Sequence, residues 1–285
     1  MKRKLGIGIF VILILIGVGI TIFPIISNLY ADHNHSEVIR EYQREVENTR
    51  DDVIQEEIAK AMEYNERLYS LVAGRNPFVE ELAIQNESYY ELLNIREDGV
   101  MSYLRIPKIN VYLPIYHGTT DEVLSKGVGH LLNTSLPVGG PSTHTVISAH
   151  TAYPGAELFN DLDELEEGDL FYLYTLNQVL AYEIDQIKVV LPYETQDFQV
   201  MEKEDYVTLV TCTPYGINTH RLLVRGRRIE YESEAINIVQ SVEKTGEKLD
   251  MTPYLILFGS VLSFIVLGIF KGLCHVYKKF VGGNR

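Results

Sequence analysis

Cysteine is nearly absent from this chain: two occur in 285 residues, Cys212 and Cys274. That excludes a disulfide framework, and the membrane topology read below separates the two thiols and forbids a bridge within one chain. Charge is missing from two long stretches. Leu5 to Ile26 carries none, and its 22 residues at 1.5 Å rise would cover roughly 33 Å, enough for a bilayer core. Pro253 to Phe270 carries none over 18 residues, which is near the lower limit for a span. Acidic residues are absent outside Asp32 to Asp250, so the central region holds 18 Lys and Arg against 39 Asp and Glu, a net −21. Such a balance disfavours nucleic acid as a partner. No internal repeat, low-complexity linker or defensible metal-ligand spacing occurs, so neither metal nor cofactor is expected.

What is present orders the chain. Lys2, Arg3 and Lys4 precede the first apolar stretch, and Lys271, Lys278, Lys279 and Arg285 follow the second. The positive-inside rule then places both termini in the cytoplasm and the region between the spans outside. A cleaved signal peptide is the alternative reading of the first stretch, although Leu29-Tyr30-Ala31 lacks the expected small residue; either way the middle is exported. The expected organisation is a cytoplasmic N-terminus over 1–4, a transmembrane helix over 5–27, a helical extension over 32–99, a β domain over 100–232, a linker over 233–252, a second transmembrane helix over 253–270 and a basic tail over 271–285.

Apolar residues such as Val38, Ile39, Tyr42, Val46, Ile54, Ile58, Ala61 and Leu68 recur at amphipathic helical spacing between Ser36 and Leu71. Gly74-Arg75-Asn76-Pro77 breaks that pattern, and 74–99 reads as loop and short helix. From Met101 onward, runs rich in Ile, Val, Tyr and Thr recur at 103–107, 111–115, 144–149, 170–175, 179–191, 206–212 and 221–230, which predicts a mostly β domain closed, or nearly closed, into a small barrel. Leu158, Phe159, Leu162 and Leu165 among acids predict one short helix within 156–168, ending at Gly168.

A lone exported Cys is a buried small hydrophobe, an intermolecular disulfide partner or a reactive thiol. Its surroundings favour the last. Thr208-Leu209-Val210-Thr211-Cys212 reads as a strand, an eight-residue turn-rich loop follows, and Arg221 opens the next strand. If those strands pair, a cation lies near the thiol, where it favours the thiolate and can stabilise an oxyanion. Acylation also needs a proton donor for the departing amine. His33, His35, His117, His130, His144, His150 and His220 are available, and spacing does not choose among them, though His150 follows an apolar strand into a loop.

The strings Thr145 to His150, Leu158-Phe159-Asn160-Asp161-Leu162 and Thr208 to Arg228 closely resemble the sortases, with TLVTC and CTPYGINTHRLLVRG the most specific. The resemblance extends upstream through Ile106-Pro107-Lys108-Ile109, Leu113-Pro114-Ile115 and Gly127 to Pro137, about 130 residues in order. It implies an eight-stranded β-barrel in which Cys212, His150 and Arg221 match the catalytic positions and Thr211 supports substrate or oxyanion. It also implies cleavage of an LPXTG-like signal between Thr and Gly through a thioester, resolved by an amine.

The helical extension and second span resemble class C sortases, which polymerise pilins in Gram-positive cell walls through a lysine amine. In that class a lid carries Asp-Pro-aromatic; the matching residues here, within 74–80, are Asn76, Pro77 and Phe78, so the acid is replaced by a neutral amide. The alternatives are a sortase anchoring surface proteins to the peptidoglycan cross-bridge, a thiol hydrolase and a non-catalytic membrane scaffold.

Overall fold

The computed structural model describes residues 2–72 and 89–231. The expected lid residues Asn76, Pro77 and Phe78, the linker, the second span, the basic tail and Cys274 lie outside the described residues.

Helix α1 runs without a break from Lys2 to Asn48, so the apolar segment and the first part of the extension form one rod. Its stretch from Leu13 is long and apolar enough to cross a membrane, with none of the most apolar window buried against protein. Helix α2 (Asp51–Val72) follows after Thr49 and Arg50, with Asp51 and Asp52 in its first turn, where carboxylates favour the helix dipole. Ile54, Ile58, Ala61, Asn65, Leu68 and Val72 form its buried stripe. Asn65 completes the docking: its side chain donates to Leu136 O at 3.1 Å and accepts from Leu136 N at 2.7 Å.

The barrel strands are β1 (Val100–Ile106), β2 (Val111–His117), β3 (Val128–His130), β4 (Thr143–Ser148), β5 (Leu170–Thr175), β6 (Gln178–Val190), β7 (Asp205–Thr213) and β8 (His220–Ile229). A short helix α3 (Asp121–Leu124) precedes β3, capped by the Thr120 hydroxyl. The strands close in the order β1-β2-β3-β4-β7-β8-β6-β5. Seven of them coincide with the apolar runs read in the sequence. The eighth, β3, spans three residues, too few for alternation to show. A side chain on its Gly129 would collide with Gly118 O and meet Leu124 Cδ2 at 3.0 Å, so the close approach of neighbouring backbone requires glycine there.

The helix expected within 156–168 is not formed. Among these residues only a 3₁₀ turn, Leu162–Glu164, is present, although Leu158, Phe159, Leu162 and Leu165 are all buried. Their backbone bonds go elsewhere: Phe159 N–H donates to His150 O at 3.0 Å and Glu166 N–H to the Asp169 carboxylate at 2.7 Å. Apolar burial was read correctly; loop and turn partners took the amides that a helix would have used.

Candidate functional site: the rim formed by the ends of β4 and β7

Strands β7 and β8 pair antiparallel with Cys212 opposite Arg221 and Thr213 opposite His220. The sequence expectation of a cation across from the thiol is therefore met at the level of backbone register. Cys212 is a free, half-buried thiol. Strand β4 runs parallel to β7, with Ser148 beside Val210. Ala149 N–H continues the ladder to Val210 O at 3.1 Å. His150 follows Ser148 by two residues as Cys212 follows Val210, so the two lie at the same end of the adjacent parallel strands β4 and β7.

Thr211, which is 3 % exposed, donates its hydroxyl to Ala149 O at 2.9 Å. It thus ties the residue before Cys212 to the residue before His150. Three contacts that the sequence did not reveal shape the loop after His150. Tyr153 stacks on the His150 imidazole, ring centroids 5.2 Å apart and planes within 10°. Asn160 accepts from Ala152 N–H at 2.9 Å, and Phe159 N–H holds the His150 carbonyl. Asn160 lay within a recognised string, but its bond spans a loop and left no periodic signal; Tyr153 left none either.

Arg221 donates to the carbonyls of Asn218 at 3.3 Å and His220 at 3.0 Å, both in its own hairpin. Among the described residues no carboxylate forms an ion pair with it, and its backbone stands opposite Cys212. Cys212, His150 and Arg221 make no hydrogen bond to one another among the described residues; the strands bring them to one rim, and the contacts of a reacting state would form there.

The structure separates the remaining histidines. His130 is fully buried; its Nε2 faces Ser135 O at 2.8 Å, so its Nδ1 accepts from Tyr89 OH at 2.9 Å. His144 is equally buried, with Nδ1 on Gln199 O at 2.9 Å and Nε2 on the Thr208 hydroxyl at 2.8 Å. Burial lowers both to about 4, against weaker opposition from those carbonyls. His117 sits between the Gly99 and Leu92 carbonyls, and burial pushes it down as well. His220 bonds the Thr219 hydroxyl in the hairpin beyond Cys212. Buried His117, His130 and His144 are structural; of the two histidines beside β7, His220 opens β8 with its ring on the Thr219 hydroxyl, and His150 follows the end of β4. No cluster of His, Cys, Asp or Glu suited to a metal ion occurs among the described residues.

A closed eight-stranded barrel carries a thiol, an arginine and a histidine at the ends of β7, β8 and β4, and known proteins share that arrangement of the chain. The family description "Sortase domain" matches residues 104–229. Sortase C1 of Streptococcus agalactiae has a crystal structure with 41 % sequence identity and a TM-score of 0.65, the match covering 69 % of this chain and 100 % of that one. The structure of Clostridium perfringens sortase C with the C-terminal cell wall sorting motif gives 43 % identity and a TM-score of 0.59, covering 69 % of this chain and 100 % of that one. Sortase D of Bacillus subtilis (strain 168) is 33 % identical over 129 residues, 44 % of this chain; the match spans 62 % of that curated relative's length. The chain belongs to the sortase family of cysteine transpeptidases.

Proposed function

We propose that this chain is a class C, pilin-polymerising sortase using Cys212 as nucleophile, His150 as proton donor and acceptor, and Arg221 as oxyanion or substrate-binding cation. The register that sets Cys212 opposite Arg221, with β4 delivering His150 alongside, is the observation that carries the assignment. The Cys212 thiolate attacks the Thr carbonyl carbon of an LPXTG-like signal. The Thr–Gly C–N bond breaks, imidazolium His150 protonates the departing Gly amine, and a thioester remains on Cys212. A pilin lysine amine then attacks the thioester and loses its proton to His150; the C–S bond breaks, restoring the thiolate and leaving an isopeptide bond. Arg221, always protonated, meets the oxyanion of each tetrahedral intermediate without titrating.

Around this centre the proposed organisation is a two-pass membrane protein with both termini cytoplasmic, the barrel extracytoplasmic, and the tripeptide Asn76-Pro77-Phe78 in the place of the family's lid. The exposed apolar length of α1 supports the first span.

The test is mass spectrometry of the protein incubated with an LPXTG-type peptide and a lysine-bearing pilin. The reading requires a thioester on Cys212 and an isopeptide product, both lost in Cys212→Ala. Free acid as sole product would indicate a hydrolase. Transfer to a peptidoglycan cross-bridge amine but never to pilin lysine would indicate wall anchoring, and wild-type function in Cys212→Ala a scaffold.

A further inference from the structure

Strands β4 and β7 are parallel, so their C-terminal ends share one rim of the barrel, from which the loop after His150 and the β7–β8 hairpin both emerge. Helix α1 reaches that rim with its membrane end. Asn28 donates to the Glu157 carboxylate at 2.7 Å, and Gly155 lies so close that a Cβ there would sit 3.4 Å from Ser27 Cβ. Ala31 packs against the barrel core, and burial together with the charge of Glu157 raises the Asp32 carboxyl above its ordinary value. Further along, Tyr42 OH donates to Met101 O at 3.0 Å and accepts from Leu176 N–H at 2.8 Å, at the opposite end of the barrel where β1 starts and β5 ends. The helix therefore lies along the barrel wall with its apolar segment leaving at the Cys212 end.

That segment stays open to its surroundings up to the contact: Phe23, Ile25, Ile26 and Tyr30 are all exposed. Ser27 and Asn28 thus belong to the last turn of the apolar surface, and the loop they touch stands within about 5 Å, one helical turn, of the lipid level. An independent feature occupies the same rim. Tyr215 and Ile217, on the β7–β8 hairpin three and five residues past Cys212, are each 66 % exposed. A tyrosine beside a large aliphatic, both exposed and without a covering contact among the described residues, suits the headgroup layer of a membrane.

We propose that the Cys212 rim rests on the surface of the bilayer that α1 crosses, with Tyr215 and Ile217 seated among the headgroups. The proposal rests on the reading of α1 as a membrane span. Its contact residues are uncharged, and the acidic exported region is repelled by anionic lipid, so apolar burial holds the rim down. The thiol then meets acyl donors whose scissile segment lies close to the membrane surface.

The chain has no tryptophan, so a single introduced indole reports alone. Full-length protein is reconstituted into phosphatidylcholine vesicles with plain or chain-brominated lipid as Tyr215→Trp, as Tyr30→Trp in the exposed stretch of α1, and as Met201→Trp, an exposed site just before β7 at the far end of the barrel. Bromine quenches Tyr215→Trp and Tyr30→Trp roughly twofold or more, with blue-shifted emission, and leaves Met201→Trp unchanged. If Tyr30→Trp is quenched while Tyr215→Trp is not, the rim stands clear of the bilayer and the proposal fails. An unquenched Tyr30→Trp removes the anchor itself, and the proposal with it. Equal quenching at Met201→Trp refutes the orientation, and Tyr215→Trp emission that responds to soluble LPXTG-type peptide but not to bromine identifies a peptide-docking surface instead.

Discussion

Thr211 offers a test in which magnitudes separate two roles. The family resemblance suggests support of substrate or oxyanion, whereas its hydroxyl is buried and donates to Ala149 O at 2.9 Å, linking the Cys212 strand to the residue before His150. Thr211→Val keeps the shape and opens no cavity, so the loss is confined to the hydrogen bond. Ala149 keeps its N–H bond to Val210 O, but its carbonyl is left buried without this partner, a loss of about 1–3 kcal/mol. For an exported unit of this size that lowers Tm by roughly 2–12 °C. Because the bond fixes where His150 leaves β4, kcat for thioester formation falls roughly three- to tenfold. An oxyanion donor behaves differently: its removal costs about 10²–10³ in kcat with stability unchanged. Thr211→Ser, which keeps the hydroxyl, restores both quantities. Thermal unfolding and pre-steady-state acylation by an LPXTG-type peptide measure them. A variant with wild-type Tm and a hundredfold slower acylation refutes the positioning argument, as does a destabilised variant with unchanged acylation.

Tyr153→Ala removes the ring stacked on His150 and lowers kcat/KM about two- to tenfold, whereas Tyr153→Phe retains the stack and stays near wild type; peptide-cleavage kinetics compare the two. Stability falls in acid, because His130 and His144 are held near 4 in the fold against 6.5 in the unfolded chain. The folded state therefore binds fewer protons, and stability is lost as pH drops from 6.5 through 4, by about 2 kcal/mol per histidine at pH 5, measurable by urea unfolding between pH 8 and pH 5. A flat profile sinks the neutral assignment of both rings. On the proposed lid assignment, Asn76→Asp supplies the acid that the family's lid carries and is expected to slow basal labelling of Cys212 by a thiol reagent, while Phe78→Ala speeds it.

Sequence alone determined the features that depend on local pattern. The charge-free segment of α1 follows from uninterrupted apolar length, and the stripe of α2 and seven of the eight strands from apolar patterning that reports burial. It also isolated Cys212 as a lone thiol and placed Arg221 after a hairpin-length loop. Tertiary structure decided what depends on partners distant in the chain. Strand β3 exists because β2 and β4 flank it, and residues 156–168 bury their apolar side chains without a helix while Phe159 and Gly168 give their amides to His150 and Ile184. The histidines divided only when His117, His130 and His144 acquired buried carbonyl or hydroxyl partners and His150 came to lie past the end of the strand beside β7. Tyr153 on His150 and Glu157 on Asn28 are contacts between side chains whose positions no periodic rule encodes, since loops are shaped by what they meet.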